Sequence, residues 1–417
     1  MIKNRTVILV MLTGLNLLNY IDRMIVAAVL RKIQLPIAEG GLNLSDFRGG
    51  LLATAFLGGY FVTSPFFGAR ADKSARKGLI ALGVAIWSIA TMGSGLASSF
   101  SMMMTARVLV GVGEASYATL APTIIDDITP PDKKNRALAI FYLAIPVGSA
   151  LGYVIGGFIA ERWGWRAAFY IAGGPGLLLA AACLLIEEPQ RKLREAKGNV
   201  IDGLRTLAKI PLFRRAVLGY CAYTGAIQAF AFWAPKYLVT TYSEYLNDET
   251  ANRYFGLITV VSGIVGTVIG GRWADRELEK TPTTVDTPYD APITKQGTNL
   301  LLRICSLGMV WATPLVAICF FMPVPAAFFA CAFLAQLGLF LSTSPVNAIG
   351  LRAVPPELRA SAMAAMIFAI HLFGDLWSPP ALGLLKDHLP TVVAMMAVPL
   401  VFGWAAYVWW PRASEAK

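Results

Sequence analysis

The sequence predicts an all-α membrane protein whose twelve transmembrane helices form two similar six-helix halves. Three observations predict it. The 417 residues are 56% hydrophobic and only 15% charged, against about 25% charged in a soluble domain, and mean hydropathy is +0.59. The apolar residues fall into twelve stretches, each close to the ~20 residues that a helix needs to cross a ~30 Å hydrocarbon core. The chain also repeats short patterns at about half its length.

In order, the twelve spans are expected at about 6–33, 47–69, 79–98, 101–127, 135–160, 165–186, 212–240, 254–274, 300–321, 325–349, 358–382 and 389–410. The first follows Lys3 and Arg5, as a signal peptide would. It is too long for a signal core and carries Asp22-Arg23, so it reads as a retained helix. Gly148, Gly152 and Gly156 after Pro146 in span 5 have the four-residue spacing that lets helix backbones approach closely. Span 7 offers Tyr220, Tyr223, Thr224, Gln228, Phe230 and Trp233 ahead of Pro235. Span 11 carries His371 and Asp375 four residues apart, followed by Ser378-Pro379-Pro380, which should break the helix. Trp163, Trp165, Trp409 and Trp410 sit at span ends, as an interfacial aromatic belt requires.

The loops supply topology and domain limits. The termini and even-numbered loops hold 26 Lys and Arg, and the odd-numbered loops hold 8. That asymmetry places both termini in the cytoplasm. It also explains the net charge of +11 without a nucleic-acid partner. Arg70-Ala71-Asp72-Lys73 after span 2 returns as Trp273-Ala274-Asp275-Arg276 after span 8. Pro130-Pro131-Asp132 leading to Arg136-Ala137 returns as Pro355-Pro356-Glu357 leading to Arg359-Ala360. Two such matches argue for a repeat: an amino-terminal bundle over 1–190, a cytoplasmic linker over 191–211 and a carboxyl-terminal bundle over 212–417. A second polar loop covers Glu277–Asn299.

The stretch Asn19-Tyr20-Ile21-Asp22-Arg23 lies near the middle of span 1. Charges at that depth cost several kcal/mol and mark ion or substrate pathways. Asp22 and Arg23 are about 100° apart on a helix, so each needs a partner on another helix. Span 4 supplies Arg107 and Glu114, seven residues and about 10 Å apart on one face. Matching depths pairs Asp22 with Arg107 and Arg23 with Glu114. Either a static clamp or a protonation-linked switch would use those pairs. The five cysteines (Cys183, Cys221, Cys305, Cys319 and Cys331) all lie in apolar segments without a CxxC pair, so they read as free thiols. With only two histidines, His371 and His388, no metal site or cofactor is expected. No nucleophile constellation supports an enzyme.

Six plus six helices around a central cytoplasmic loop resembles the major facilitator superfamily. Gly68-Ala69-Arg70-Ala71-Asp72-Lys73-Ser74-Ala75-Arg76-Lys77 is similar to its loop motif between helices 2 and 3, with Ala75 where the motif has glycine. Arg107-Val-Leu-Val-Gly111-Val-Gly113 is similar to its helix 4 motif. More narrowly, four stretches resemble the Spinster family of lipid transporters: Asn19-Tyr20-Ile21-Asp22-Arg23, Gly113 through Ile125, Phe141 through Ser149, and His371-Leu372-Phe373-Gly374-Asp375. Given the chain's short tails, the resemblance implies a bacterial member in a plasma (inner) membrane. The resemblance implies secondary active transport of lysophospholipids or phosphorylated sphingoid bases by alternating access.

On that basis Asp22, Arg23, Arg107 and Glu114 are candidates for proton coupling. Arg70, Asp72, Arg76, Asp275 and Arg276 are candidates for cytoplasmic gating. Asn19, Tyr20, Arg23, Glu114, Tyr117, Tyr223, Thr224, Trp233, His371 and Asp375 are candidates for binding substrate. The expected partners are an amphipathic anion, protons and membrane lipids, with the chain a monomer. A proton-coupled symporter of small organic anions and a multidrug exporter share the fold and remain alternatives.

Overall fold

A computed structural model describes residues 2–71, 74–130, 133–187, 206–279, 295–352, 354 and 359–412. The described chain is almost wholly helical. The helices are α1 (Arg5–Gln34), α2 (Asp46–Ala71), α3 (Arg76–Leu96), α4 (Phe100–Ile128), α5 (Lys134–Trp163), α6 (Trp165–Leu184), α7 (Pro211–Thr241), α8 (Asp248–Glu279) and α9 (Lys295–Cys319). α10 runs through Pro325–Leu341 and, past a break at Ser342, Thr343–Arg352. α11 joins Arg359–Ile370, a π turn at His371–Asp375 and Ser378–His388. α12 joins Thr391–Met395 and Ala397–Trp409. Eleven of these are long and apolar enough to cross a membrane, and the chain is an integral membrane protein. α7 falls outside the eleven because Tyr220, Tyr223, Thr224 and Gln228 dilute its apolar stretch, while Arg214, Arg215 and Lys236 stand on either side of it.

One expected boundary is corrected, and two features of the sequence find their local explanation. α8 begins at Asp248, about two turns before the expected 254. α11 is interrupted ahead of Ser378, and Pro379 and Pro380 open its final segment; proline fits a first turn, where its missing N–H would have no partner anyway. Ala75 has φ −65°, ψ 121° as the residue preceding α3. That extended backbone suits any L-residue, so no glycine is needed there.

The chain's contacts form two compact units: Met1–Arg194 with Phe232–Leu257 and Pro379–Asp387, and Glu195–Ala231 with Ile258–Ser378 and His388–Lys417. In the first unit α1 packs on α5, α3 on α6, and α4 on α2 and α3. Glycine makes two of these approaches possible. A methyl group built on Gly152 would stand 2.6 Å from the Ile21 carbonyl oxygen, and one on Gly113 would stand 2.3 Å from that of Gly83. Both distances are impossible for a real Cβ, so the backbones touch directly.

Polar side chains then tie the helices, and most end on a neighbour's backbone carbonyl. Asn16 Nδ2 donates to Phe141 O at 2.9 Å, Tyr117 Oη to Leu12 O at 2.5 Å, Ser116 Oγ to Leu79 O at 2.7 Å and Asn252 Nδ2 to Ala28 O at 3.0 Å. In the second unit α9 packs on α10 and α12. Ser306 Oγ donates to Ala406 O at 2.7 Å, and Tyr223 Oη donates to Leu339 O at 3.0 Å. Each bond satisfies a buried donor without placing a second polar side chain in the core.

Candidate functional site

The first unit holds a buried, electrically neutral group of four charges. α1 carries Asp22 and Arg23 on different faces, and α4 carries Arg107 and Glu114 two turns apart on one face. Arg23 grips a single oxygen of Glu114, with Nε at 2.9 Å and Nη2 at 2.7 Å from Oε2. Arg107 Nη1 lies 3.4 Å from Asp22 Oδ2, and Thr91 on α3 donates to the same oxygen at 3.0 Å. Asp22 and Glu114 are fully buried, and Arg107 is 1% exposed. These are the partners that matching depths implied.

Phe56 on α2 lies between the two cations, its ring centroid 4.9 Å from the Arg23 guanidinium carbon and 5.8 Å from that of Arg107. Tyr20 covers Arg23 from its own helix at 4.8 Å. A ring face over a guanidinium replaces part of the hydration that burial removes. Among the described residues, no hydrogen-bond partner reaches the second oxygens, Asp22 Oδ1 and Glu114 Oε1, nor Arg107 Nε or Asn19 Nδ2. Each acid therefore keeps one oxygen for its pair and presents the other unengaged. Chemically the group can take up a proton on either acid without first breaking a hydrogen bond.

Thr91 and Phe56 were not foreseen. A threonine and a phenylalanine in apolar spans carry no signal of their own; only the known positions of Asp22 and the arginines single them out.

The other sequence candidates are dispersed. Tyr117 is fully buried between Trp87 and Phe141 with its hydroxyl on Leu12 O. Trp233 is fully buried, its indole N–H donating to Pro379 O at 3.0 Å. Tyr223 packs on Tyr220 and Trp409. The hydroxyls and N–H of these three end on backbone carbonyls, so in this conformation their polar tips are engaged within the protein. Thr224 bonds back to Tyr220 O at 2.9 Å in its own helix, beside Gly374 of the π turn. His371 Nδ1 and Asp375 Oδ2 meet at 2.8 Å, both half-buried.

Of the gating candidates, Arg76 is buried, with Nη1 at 2.7 Å from Asp127 Oδ2 and 3.1 Å from Thr123 Oγ1, so it clamps α3 to the end of α4. Arg70, Asp275 and Arg276 are exposed. Asp72 lies outside the described residues.

A second polar group, not foreseen, occupies the end of the first unit where the odd-numbered helices finish. Asp46, opening α2, binds Lys236 of α7 through one oxygen and Lys386 of α11 through the other, the latter at 3.3 Å. Gln34 joins the same carboxylate at 2.9 Å. Asp387 accepts from the backbone N–H groups of Asp46 and Phe47 at 2.7 and 2.9 Å, capping α2. Trp233 lies under Lys386 at 3.8 Å. Nearby, Arg31 makes a two-pronged pair with Asp248 at 3.0 and 2.5 Å, Lys32 meets Glu161 at 2.9 Å and Arg162 meets Glu249 at 2.7 Å. The signal was present: Lys236 is a base inside a span with no acid near it in sequence, so its partner had to be remote.

Comparison with known proteins follows the same lines. The Major Facilitator Superfamily profile matches residues 12–379. A probable sphingolipid transporter, spinster homolog 2 of Arabidopsis thaliana, is 35% identical over 393 residues, covering 89% of this chain and 76% of the relative. Protein spinster homolog 1 of Homo sapiens is 34% identical over 409 residues, covering 92% and 73%. Among solved structures, a bacterial homologue of the human lysosomal transporter Spinster, inward-facing and occupied, superposes with a TM-score of 0.84 at 21% identity, covering 100% of this chain and 99% of that one. A D-xylose–proton symporter superposes at 0.76 and 17% identity, covering 98% of each. Those two likenesses show the fold.

Proposed function

The chain belongs to the Spinster family of the Major Facilitator Superfamily, and from that premise we propose that it is a proton-linked carrier of amphipathic, lipid-like anions. That it is a transporter and no enzyme follows from the family. The observation that carries the finer reading is the pair of fully buried acids, each with one oxygen on a cation and one unengaged. Protonating Glu114 or Asp22 leaves a buried cation without its counter-charge, which costs about 3–5 kcal/mol if nothing moves. A charge imbalance of that size is enough to shift a two-state equilibrium strongly. It also gives an anionic head group a reason to approach Arg23 or Arg107.

The ion pairs at the opposite end fit a gate in the same cycle. Asp46, Arg31 and Arg162 come from the first half of the sequence, and their partners Lys236, Lys386, Asp248 and Glu249 from the second. Breaking them is the step that opens that side to substrate. The distribution of basic residues, 26 against 8, supports cytoplasmic termini, and with that orientation this gate is assigned to the outer side of a plasma membrane. Arg76, with Asp72 and Asp275, is assigned to the cytoplasmic side. The carrier acts as a monomer.

The test is flux in proteoliposomes of a fluorescent lysophospholipid, a sphingoid phosphate and a small dicarboxylate, each with and without an imposed pH gradient. The expected result is gradient-dependent movement of the two lipids alone. Dicarboxylate transport, or lipid movement indifferent to the gradient, refutes the proposal.

A further inference from the structure

A lipid-facing groove in the second unit has the chemistry of a specific phospholipid site, separate from the charge network. α9 and α12 run antiparallel, with Ser306 level with Ala406 and Thr313 level with Gly403. Between them lies a groove of about 390 Å³ lined by Val310, Thr313, Pro314, Gly403, Tyr407 and Trp410. Its walls are almost wholly apolar. Val310, Tyr407 and Trp410 are 47%, 64% and 51% exposed, so the protein itself does not cover them. Gly403 to Trp410 extends about 10 Å along α12, and the 1.5 Å rise per residue gives the same distance from Val310 back to Arg303 on α9.

That register brings Arg303 level with Trp409 and Trp410, at the end where α12 finishes. Arg303 is exposed, seven residues from Val310 and therefore on the same side of α9. Arg412, two residues past Trp410, is exposed too. Arg215 of α7 stands close enough to Arg412 to repel it. Arg215 is itself committed to the carbonyl oxygens of Val408 and Trp410, at 3.1 and 2.7 Å. No acidic residue occurs anywhere in α7, α9 or α12. The groove therefore ends in cations with no carboxylate on these three helices to neutralise them, beside an amphipathic Trp and Tyr suited to a headgroup region.

We infer that this groove binds one anionic phospholipid, an acyl chain lying along Val310, Gly403 and Tyr407 and the phosphate held by Arg303 and Arg412. A basic residue at the membrane surface favours anionic over zwitterionic lipid, and the groove adds shape to that preference. The acyl chain is what separates this occupant from a free organic phosphate.

The purified full chain is examined by native mass spectrometry with dioleoyl phosphatidylglycerol, dioleoyl phosphatidylcholine and sn-glycerol 1-phosphate. The expected result is one retained phosphatidylglycerol, preferred over phosphatidylcholine and not displaced by glycerol phosphate. Arg303→Gln with Arg412→Gln lowers that preference roughly tenfold. Gly403→Leu lowers retention of both lipids by filling the groove, since its Cβ meets only Thr313 at 3.7 Å. Melting in detergent micelles confirms that the variants fold. On the unmodified chain, phosphatidylglycerol with brominated acyl chains quenches the emission that Trp410→Phe removes. Equal retention of the two lipids by the wild type, an unchanged preference in the double arginine variant, displacement by glycerol phosphate, or no quenching of Trp410 overturns the site.

Discussion

Substituting Glu114 by Gln keeps its shape and removes the charge that Arg23 faces. Two contacts at 2.7 and 2.9 Å end on one carboxylate oxygen, and removing one partner of such a buried pair costs about 3–5 kcal/mol. Arg23 keeps its two aromatic neighbours, Tyr20 at 4.8 Å and Phe56 at 4.9 Å. Each such contact is worth about 0.5–2 kcal/mol, and the Arg23 side chain is 15% exposed, so the lower end, about 3 kcal/mol, is expected. At about 2–4 °C per kcal/mol this lowers the melting temperature in detergent by roughly 6–12 °C. Arg23→Gln combined with Glu114→Gln removes both charges together and restores most of the loss, a coupling of about 2 kcal/mol. In proteoliposomes, Glu114→Gln and the double variant both lose the response to a pH gradient while still binding lipid. If the double variant melts as low as the two single losses added together, the pair is not an energetic unit. If Glu114→Gln and Asp22→Asn both transport with unchanged pH dependence, the four charges are a static clamp.

Three further outcomes are expected. Asp46→Asn, which weakens the contacts to both Lys236 and Lys386, increases the labelling of a cysteine placed at Gln34 by an impermeant maleimide; unchanged labelling removes Asp46 from the gate. Gly152→Leu, whose Cβ would sit 2.6 Å from Ile21 O, separates α1 from α5, costs about 2 kcal/mol or more from overpacking and abolishes transport; a variant that melts with the wild type contradicts the direct backbone contact. Tyr117→Phe loses only a bond to a helical carbonyl, about 0.5–1.5 kcal/mol, and leaves substrate affinity unchanged if the residue is packing; weaker lipid binding makes it a substrate contact.

What the sequence revealed follows the range of each physical signal. Apolar runs and the depth of a charge along a helix are local, so the helices and the partners of Asp22 and Arg23 could be read directly. Depth works because buried charges at matched levels have few alternatives. The Asp46 group escaped because Lys236 and Lys386 lie 190 and 340 residues away at span ends, where solvation is the default reading. Tyr117, Tyr223 and Trp233 mark a different limit. An aromatic residue with a polar tip looks the same in sequence whether it faces a cavity or a neighbour's carbonyl, and the structure puts all three on carbonyls. The compact units differ from the sequence halves because the ends of α7 and α11 and the start of α8 bond to α1 and α2.

The ties from side chains to backbone carbonyls distribute mutational freedom unevenly. Asn16 needs Phe141 only for its carbonyl oxygen, and Asn252 needs only that of Ala28. The acceptor is supplied by every amino acid, so at the receiving end the constraint is on volume alone. At the giving end it is on chemistry. Exhaustive substitution should therefore find that Asn16, Ser116, Asn252 and Ser306 each lose about 0.5–1.5 kcal/mol on isosteric apolar replacement. Leu12, Leu79, Phe141 and Ala406 should accept apolar residues of similar size, so that two positions joined by one bond drift at different rates.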